Sequence, residues 1–70
     1  MAGSIGGMQD MTLRELLSHF INKTIWVDLC TPIWRKCGEV RNIEAELADS
    51  EWMNMKVSNW TYTNSLNIDM

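Results

Sequence analysis

Apolar and polar positions change period several times along this chain, and each change marks an element. Leu13, Leu16, Leu17, Phe20 and Ile21 recur at helical spacing. They lay one stripe along a helix of about three turns. Thr12-Leu-Arg-Glu15, at its start, fits a capping box: Thr12 accepts from the third helical amide and Glu15 reaches back to the Thr12 N–H. Asn22-Lys23 closes the helix. The period then falls to two. Ile25, Val27 and Leu29 alternate with Thr24, Trp26, Asp28 and Cys30, the pattern of a half-buried strand. Thr31-Pro32 interrupts it, since proline cannot donate to a sheet ladder. A second strand follows over about Ile33 to Arg41, with Gly38 predicting a bulge or a close backbone approach. The short spacing makes the two strands an antiparallel hairpin.

Asn42 to Ser50 reads as a short helix or turn, with Ile43, Leu47 and Ala48 on one side and Glu44 and Glu46 on a solvated face. Trp52 to Trp60 reads as a strand, with Met53, Met55 and Val57 alternating with Asn54, Lys56 and Ser58. Thr61-Tyr-Thr-Asn64 resembles a turn, and Leu66, Ile68 and Met70 alternate again. The predicted order is α-β-β-(α)-β-β. The stripe on the first helix needs a cover, which the hairpins supply. The expected fold is therefore α+β, a capped N-terminal helix packed on a small, mainly antiparallel sheet. Residues 1–10, MAGSIGGMQD, are small and Gly-rich and read as a flexible arm or an expression-vector remnant, with Met8 or Met11 as the natural start. Residues 11–70 form the single domain.

Composition narrows the class. The chain has 70 residues, 46% hydrophobic and 21% charged, with net charge -3. That is enough for one small core. No apolar run approaches the roughly 20 residues of a membrane span. The negative balance argues against a nucleic-acid protein, which works through clustered Lys and Arg. Two cysteines and a start without basic or apolar signal regions point to reduced thiols in the cytoplasm. Four tryptophans, Trp26, Trp34, Trp52 and Trp60, are more ring surface than so short a chain easily hides. The excess predicts contact with another macromolecule.

Candidate chemistry is sparse. His19 is the only histidine and has no local nucleophile or carboxylate partner, so it reads as an ordinary helix-flank residue. Cys30 and Cys37 lack the pair spacing of a structural zinc site. Across the hairpin they either remain free or form a facultative disulfide. No catalytic residue, metal or cofactor is expected. Glu39, Glu44, Glu46, Asp49 and Glu51 cluster, opposed by Arg41, as a solvated face or as an acidic patch that steers a partner. Trp34 with Arg35, Lys36 and Arg41 suggests an alternative, a small β-rich module that stacks single-stranded nucleic acid.

Met11-Thr-Leu-Arg-Glu-Leu-Leu17 resembles the opening of short uncharacterised proteins from phages and other mobile elements. The likeness extends over Thr12 to Ile21, Ile25 to Val40, and Val57 to Met70, a helix–hairpin–connector–hairpin layout. It departs in the four tryptophans and in Thr31-Pro32, where a Gly-containing turn is expected. The resemblance implies a mobile-element accessory protein that binds host machinery, as anti-CRISPR proteins bind nucleases, and it carries over no site residues.

The expected function is thus non-enzymatic binding of another protein, host or self, with a homodimer through the open sheet edges. Trp34, Trp52 and Trp60 are the expected contacts, rimmed by Glu44, Glu46 and Glu51.

Overall fold

The computed structural model describes residues 11–70. The arm expected over residues 1–10 lies outside the described residues. In chain order the elements are α1 (Leu13–Ser18), β1 (Trp26–Cys30), β2 (Arg35–Glu39), α2 (Val40–Glu46), a 3-10 turn (Glu51–Asn54), β3 (Asn59–Tyr62) and β4 (Leu66–Asp69). The layout is α+β, as the hydrophobic pattern predicts.

The capping box of α1 forms. The Glu15 N–H donates to Thr12 Oγ1 at 3.2 Å, and the Thr12 N–H donates to Glu15 Oε1 at 2.9 Å. Two further bonds tie this end to the chain after the 3-10 turn: Leu13 N–H to the Met55 carbonyl at 3.0 Å, and Val57 N–H to the Met11 carbonyl at 2.9 Å. The helix stops a turn earlier than its stripe predicts. Backbone bonds tighten to His19 N–H on the Leu16 carbonyl and Phe20 N–H on the Leu17 carbonyl. Lys23 Nζ takes the Leu17 carbonyl at 3.2 Å, a cation on a helix C-terminus. Phe20 leaves the stripe to meet the aromatic rings of β3, and Ile21 is 94% exposed.

β1 and β2 form the predicted antiparallel hairpin, with Val27 opposite Gly38 and Leu29 opposite Lys36. Gly38 keeps regular register, so the expected bulge is absent, and the nearest atoms leave room for a Cβ, so no close backbone approach demands glycine either. A Cβ there would sit 3.7 Å from Ile43 Cδ1, so Gly38 lies directly beneath α2. The loop between the strands is held by Thr31. Its hydroxyl accepts from the Ile33 and Trp34 amides at 3.2 and 2.9 Å and donates to the Trp34 carbonyl at 2.9 Å. The second strand ends at Glu39 rather than Arg41, because α2 starts at once. Val40 N–H and Arg41 N–H bond the carbonyls of Ile25 and Lys23.

The Trp52–Trp60 segment is not one strand. Ser50 Oγ accepts the Trp52 N–H at 3.1 Å and starts the 3-10 turn, which buries Met53 and leaves Met55 exposed. Strand geometry begins only at Asn59 and includes Thr61 and Tyr62, both expected in a turn; the reversal falls between Tyr62 and Leu66 instead.

The sheet order is β2-β1-β4-β3. The outer pairings are antiparallel, whereas β1 and β4 run parallel at its centre, Val27 beside Leu66 and Leu29 beside Ile68. Val27, Leu29, Leu66 and Ile68 share a face with Leu13, Leu16 and Leu17 of α1 and Val40 and Ile43 of α2, every one at most 1% exposed. Among the described residues nothing covers the opposite face, which carries Trp26, Asp28 and Cys30.

The three Thr31 hydroxyl bonds make a specific stability prediction. Thr31→Val keeps the volume and strands two loop amides, so it should cost about 1–3 kcal/mol. Thermal denaturation should show a fall in Tm of at least ~4 °C. An unchanged Tm would mean that the hydroxyl does not organise this loop.

Candidate functional site

The expected contact residues fall in two places. Trp34, at the end of the hairpin loop, meets Trp52 of the 3-10 turn edge-to-face at a ring separation of 5.4 Å. Trp60 lies on β3, where Phe20 approaches it at 6.5 Å and Tyr62 at 5.5 Å, both edge-to-face. All three expected indoles are half-buried. The expected acidic rim is partly spent within the chain: Glu44 pairs with Lys23 at 3.1 Å and Glu46 with Lys36 at 2.6 Å. Glu51 stands exposed in the first turn of the 3-10 segment.

Trp26 is the indole that the contact set omits, and it is 52% exposed on the uncovered sheet face. Its signal was present in the alternation, which puts Trp26 on the same side of β1 as Asp28 and Cys30. Ile33 at 77%, Tyr62 at 48% and Met55 at 47% are also open to solvent. Nothing in their local sequence marks them, because their exposure follows from where the turns fall.

On the uncovered face, Asp28 and Arg35 form a two-point pair across the hairpin. Arg35 Nε donates to Asp28 Oδ1 at 2.9 Å and Arg35 Nη2 donates to Oδ2. Cys37 Sγ donates to Asp28 Oδ1 at 3.5 Å. Hydrogen bonding from the Arg35 guanidinium holds the Asp28 carboxyl below its ordinary range, against the partial burial that raises it and with help from the Cys37 thiol. The same bond raises Arg35 above its ordinary value. A shallow cavity of about 270 Å³ opens here, lined by Asp28, Cys30, Arg35, Asn67, Ile68 and Asp69.

The two thiols share this face but do not stand opposite each other. Cys37 faces Asp28, and Cys30 faces Arg35. That diagonal offset is about 7–8 Å between backbones, too long for a disulfide without backbone movement. Both are free and exposed. The cations proposed for nucleic-acid stacking are each engaged by a carboxylate: Arg35 by Asp28, Lys36 by Glu46 and Arg41 by Glu39. His19 is exposed at the end of α1. Among the described residues, no group of three His, Cys, Asp or Glu side chains converges as a metal site. Nor is any helix there long and apolar enough to cross a membrane.

Comparison with known proteins adds no identity: no family model, curated protein or solved structure matches the chain.

The Asp28 pair predicts a pH dependence with a definite sign. A depressed folded-state pKa contributes stability that is present above the unfolded value and is lost as pH falls through the folded value. In a carboxyl NMR titration, Asp28 should show its midpoint below 3.8, the ordinary aspartate value. Arg35→Gln should move that midpoint upward. A midpoint indifferent to Arg35 would refute the pairing.

Proposed function

We propose that this chain is a non-enzymatic, cytoplasmic accessory protein that acts by binding another protein. One observation carries the reading: Trp26, Ile33, Met55, Tyr62 and Ile21 all expose roughly half of their surface or more, in a domain whose core is otherwise closed. Tryptophan is enriched among residues that dominate binding energy, and Trp26 is the most accessible of the four. Trp34, Trp52 and Trp60 contribute their open edges and stiffen the surface behind them. Glu51 serves as an acidic rim residue. Glu44 and Glu46 contribute less than their number suggests, because Lys23 and Lys36 already neutralise them.

The likeness of the Thr12–Ile21, Ile25–Val40 and Val57–Met70 segments to mobile-element proteins suggests the biological setting. In that setting the partner belongs to the host, and a nuclease of host defence is the partner this reading names. Such a protein blocks its target by occupying a surface. That needs apolar anchors and shape, with no reacting group.

The experiment is affinity capture from a host lysate with the wild-type chain and with Trp26→Ala, alongside protection of a targeted plasmid in cells that express the chain. Wild type should enrich one protein and protect the plasmid. Trp26→Ala should lose both while its Tm stays within ~2 °C of wild type, as expected for an exposed substitution. Equal capture by the two forms would discard Trp26 as the anchor. Salt-sensitive micromolar binding of single-stranded oligonucleotide would overturn the reading in favour of a nucleic-acid module.

A further inference from the structure

The two edges of the sheet are not alike. β2 ends one side, and its charges are all engaged: Arg35 with Asp28, Lys36 with Glu46, and Glu39 with Arg41. Charged side chains on an edge resist pairing with another strand. β3 ends the other side and has no such guard. From Val57 to Ile68 the chain contains no charged residue and no proline. Among the described residues β3 pairs only with β4, so alternate N–H and C=O groups of Asn59–Tyr62 point away from the sheet.

The β3 sequence also complements itself. Two copies can be placed antiparallel about a two-fold axis with Thr61 opposite the partner's Thr61. Trp60 then faces the partner's Tyr62, Tyr62 faces the partner's Trp60, and Asn59 faces the partner's Thr63. Aromatic pairs and threonine pairs are favourable cross-strand combinations, and this register places no like charges opposite each other. The faces match as well. Trp60 and Tyr62 lie on the helix side, where Phe20 already packs against both rings, so pairing would extend one aromatic row across the axis. Thr61 lies beside Asn67 on the uncovered side and is exposed.

From these observations we propose that β3 is a self-association edge, through which two copies of the chain join as one continuous antiparallel extension of the sheet centred on Thr61. A two-fold contact of this kind is closed, since each β3 edge is consumed by the other. The inference does not need the foreign partner proposed above, and it stands or falls on association of the chain with itself.

Sedimentation velocity of the full chain over a concentration series tests it. Wild type should move from monomer to dimer. Thr61→Lys puts two ammonium groups directly opposite each other at an exposed position, so the dimer dissociation constant should rise about tenfold or more while the circular dichroism spectrum is kept. A mixture of Thr61→Lys and Thr61→Glu should form a heterodimer at concentrations where neither associates alone. In the wild type, hydrogen exchange of the β3 amides should slow as concentration rises. A monomer throughout the series, a Thr61→Lys chain that dimerises as tightly as wild type, or β3 exchange that ignores concentration would each overturn the proposal.

Discussion

The structure depends on one apolar layer, the contact between the inner face of the central strands and the two short helices. Val27 and Leu29 of β1 and Leu66 and Ile68 of β4 are closed from solvent by Leu13, Leu16 and Leu17 on one side and Val40 and Ile43 on the other. Neither helix would persist alone at its length; helices shorter than about 12–15 residues are marginal in water. Their stability is borrowed from the sheet. The sheet in turn has one face to bury, and β1 and β4 supply its centre by running parallel from opposite ends of the chain. The start of α1 is tied to the segment after the 3-10 turn by the Leu13 and Val57 backbone bonds. A domain this small has no second core to fall back on.

That economy decides what remains outside. With the helices committed to one side, the other side of the sheet stays open, and its residues must satisfy one another or water. Asp28, Arg35 and Cys37 do so laterally across the hairpin. Trp26 has no equivalent, and its exposure is the residue left after the core is filled. Trp34 and Trp60 pack on the core's margin, Trp34 also against Trp52 and Trp60 against Phe20. They widen a thin interior instead of forming a separate patch. The expected contacts Trp34, Trp52 and Trp60 therefore divide into two aromatic corners, and of the expected rim Glu44 and Glu46 serve intrachain ion pairs.

Features that arise from local physics were readable from the residues. The Thr12–Glu15 box acts within four positions, and the Val27/Leu29 alternation needs only a buried side, so α1's start and β1 were predicted where they occur. Features that depend on distant partners were not. The apolar stripe continues through Phe20 and Ile21, yet the helix stops because Phe20 is drawn to β3 and Lys23 takes the Leu17 carbonyl. Met53, Met55 and Val57 alternate like a strand, but Met53 is buried by the 3-10 turn, Met55 is exposed, and Val57 is buried beyond the turn, where its N–H bonds the Met11 carbonyl. The Ser50 hydroxyl on the Trp52 amide was the local sign that helical geometry begins there. The parallel β1–β4 pairing has no local signature at all, since any strand with one apolar face satisfies either direction.

The contrast between the sheet edges follows from the same logic of what the core leaves unresolved. β2 is short and charged, runs straight into α2, and carries three residues held in ion pairs. β3 is equally short but carries Asn, Trp, Thr and Tyr, a composition suited to strand pairing with no cost of burying charge. Thr61 and Thr63 are both exposed, so the core makes no demand on their side chains, and β3 is left without the charges that β2 carries.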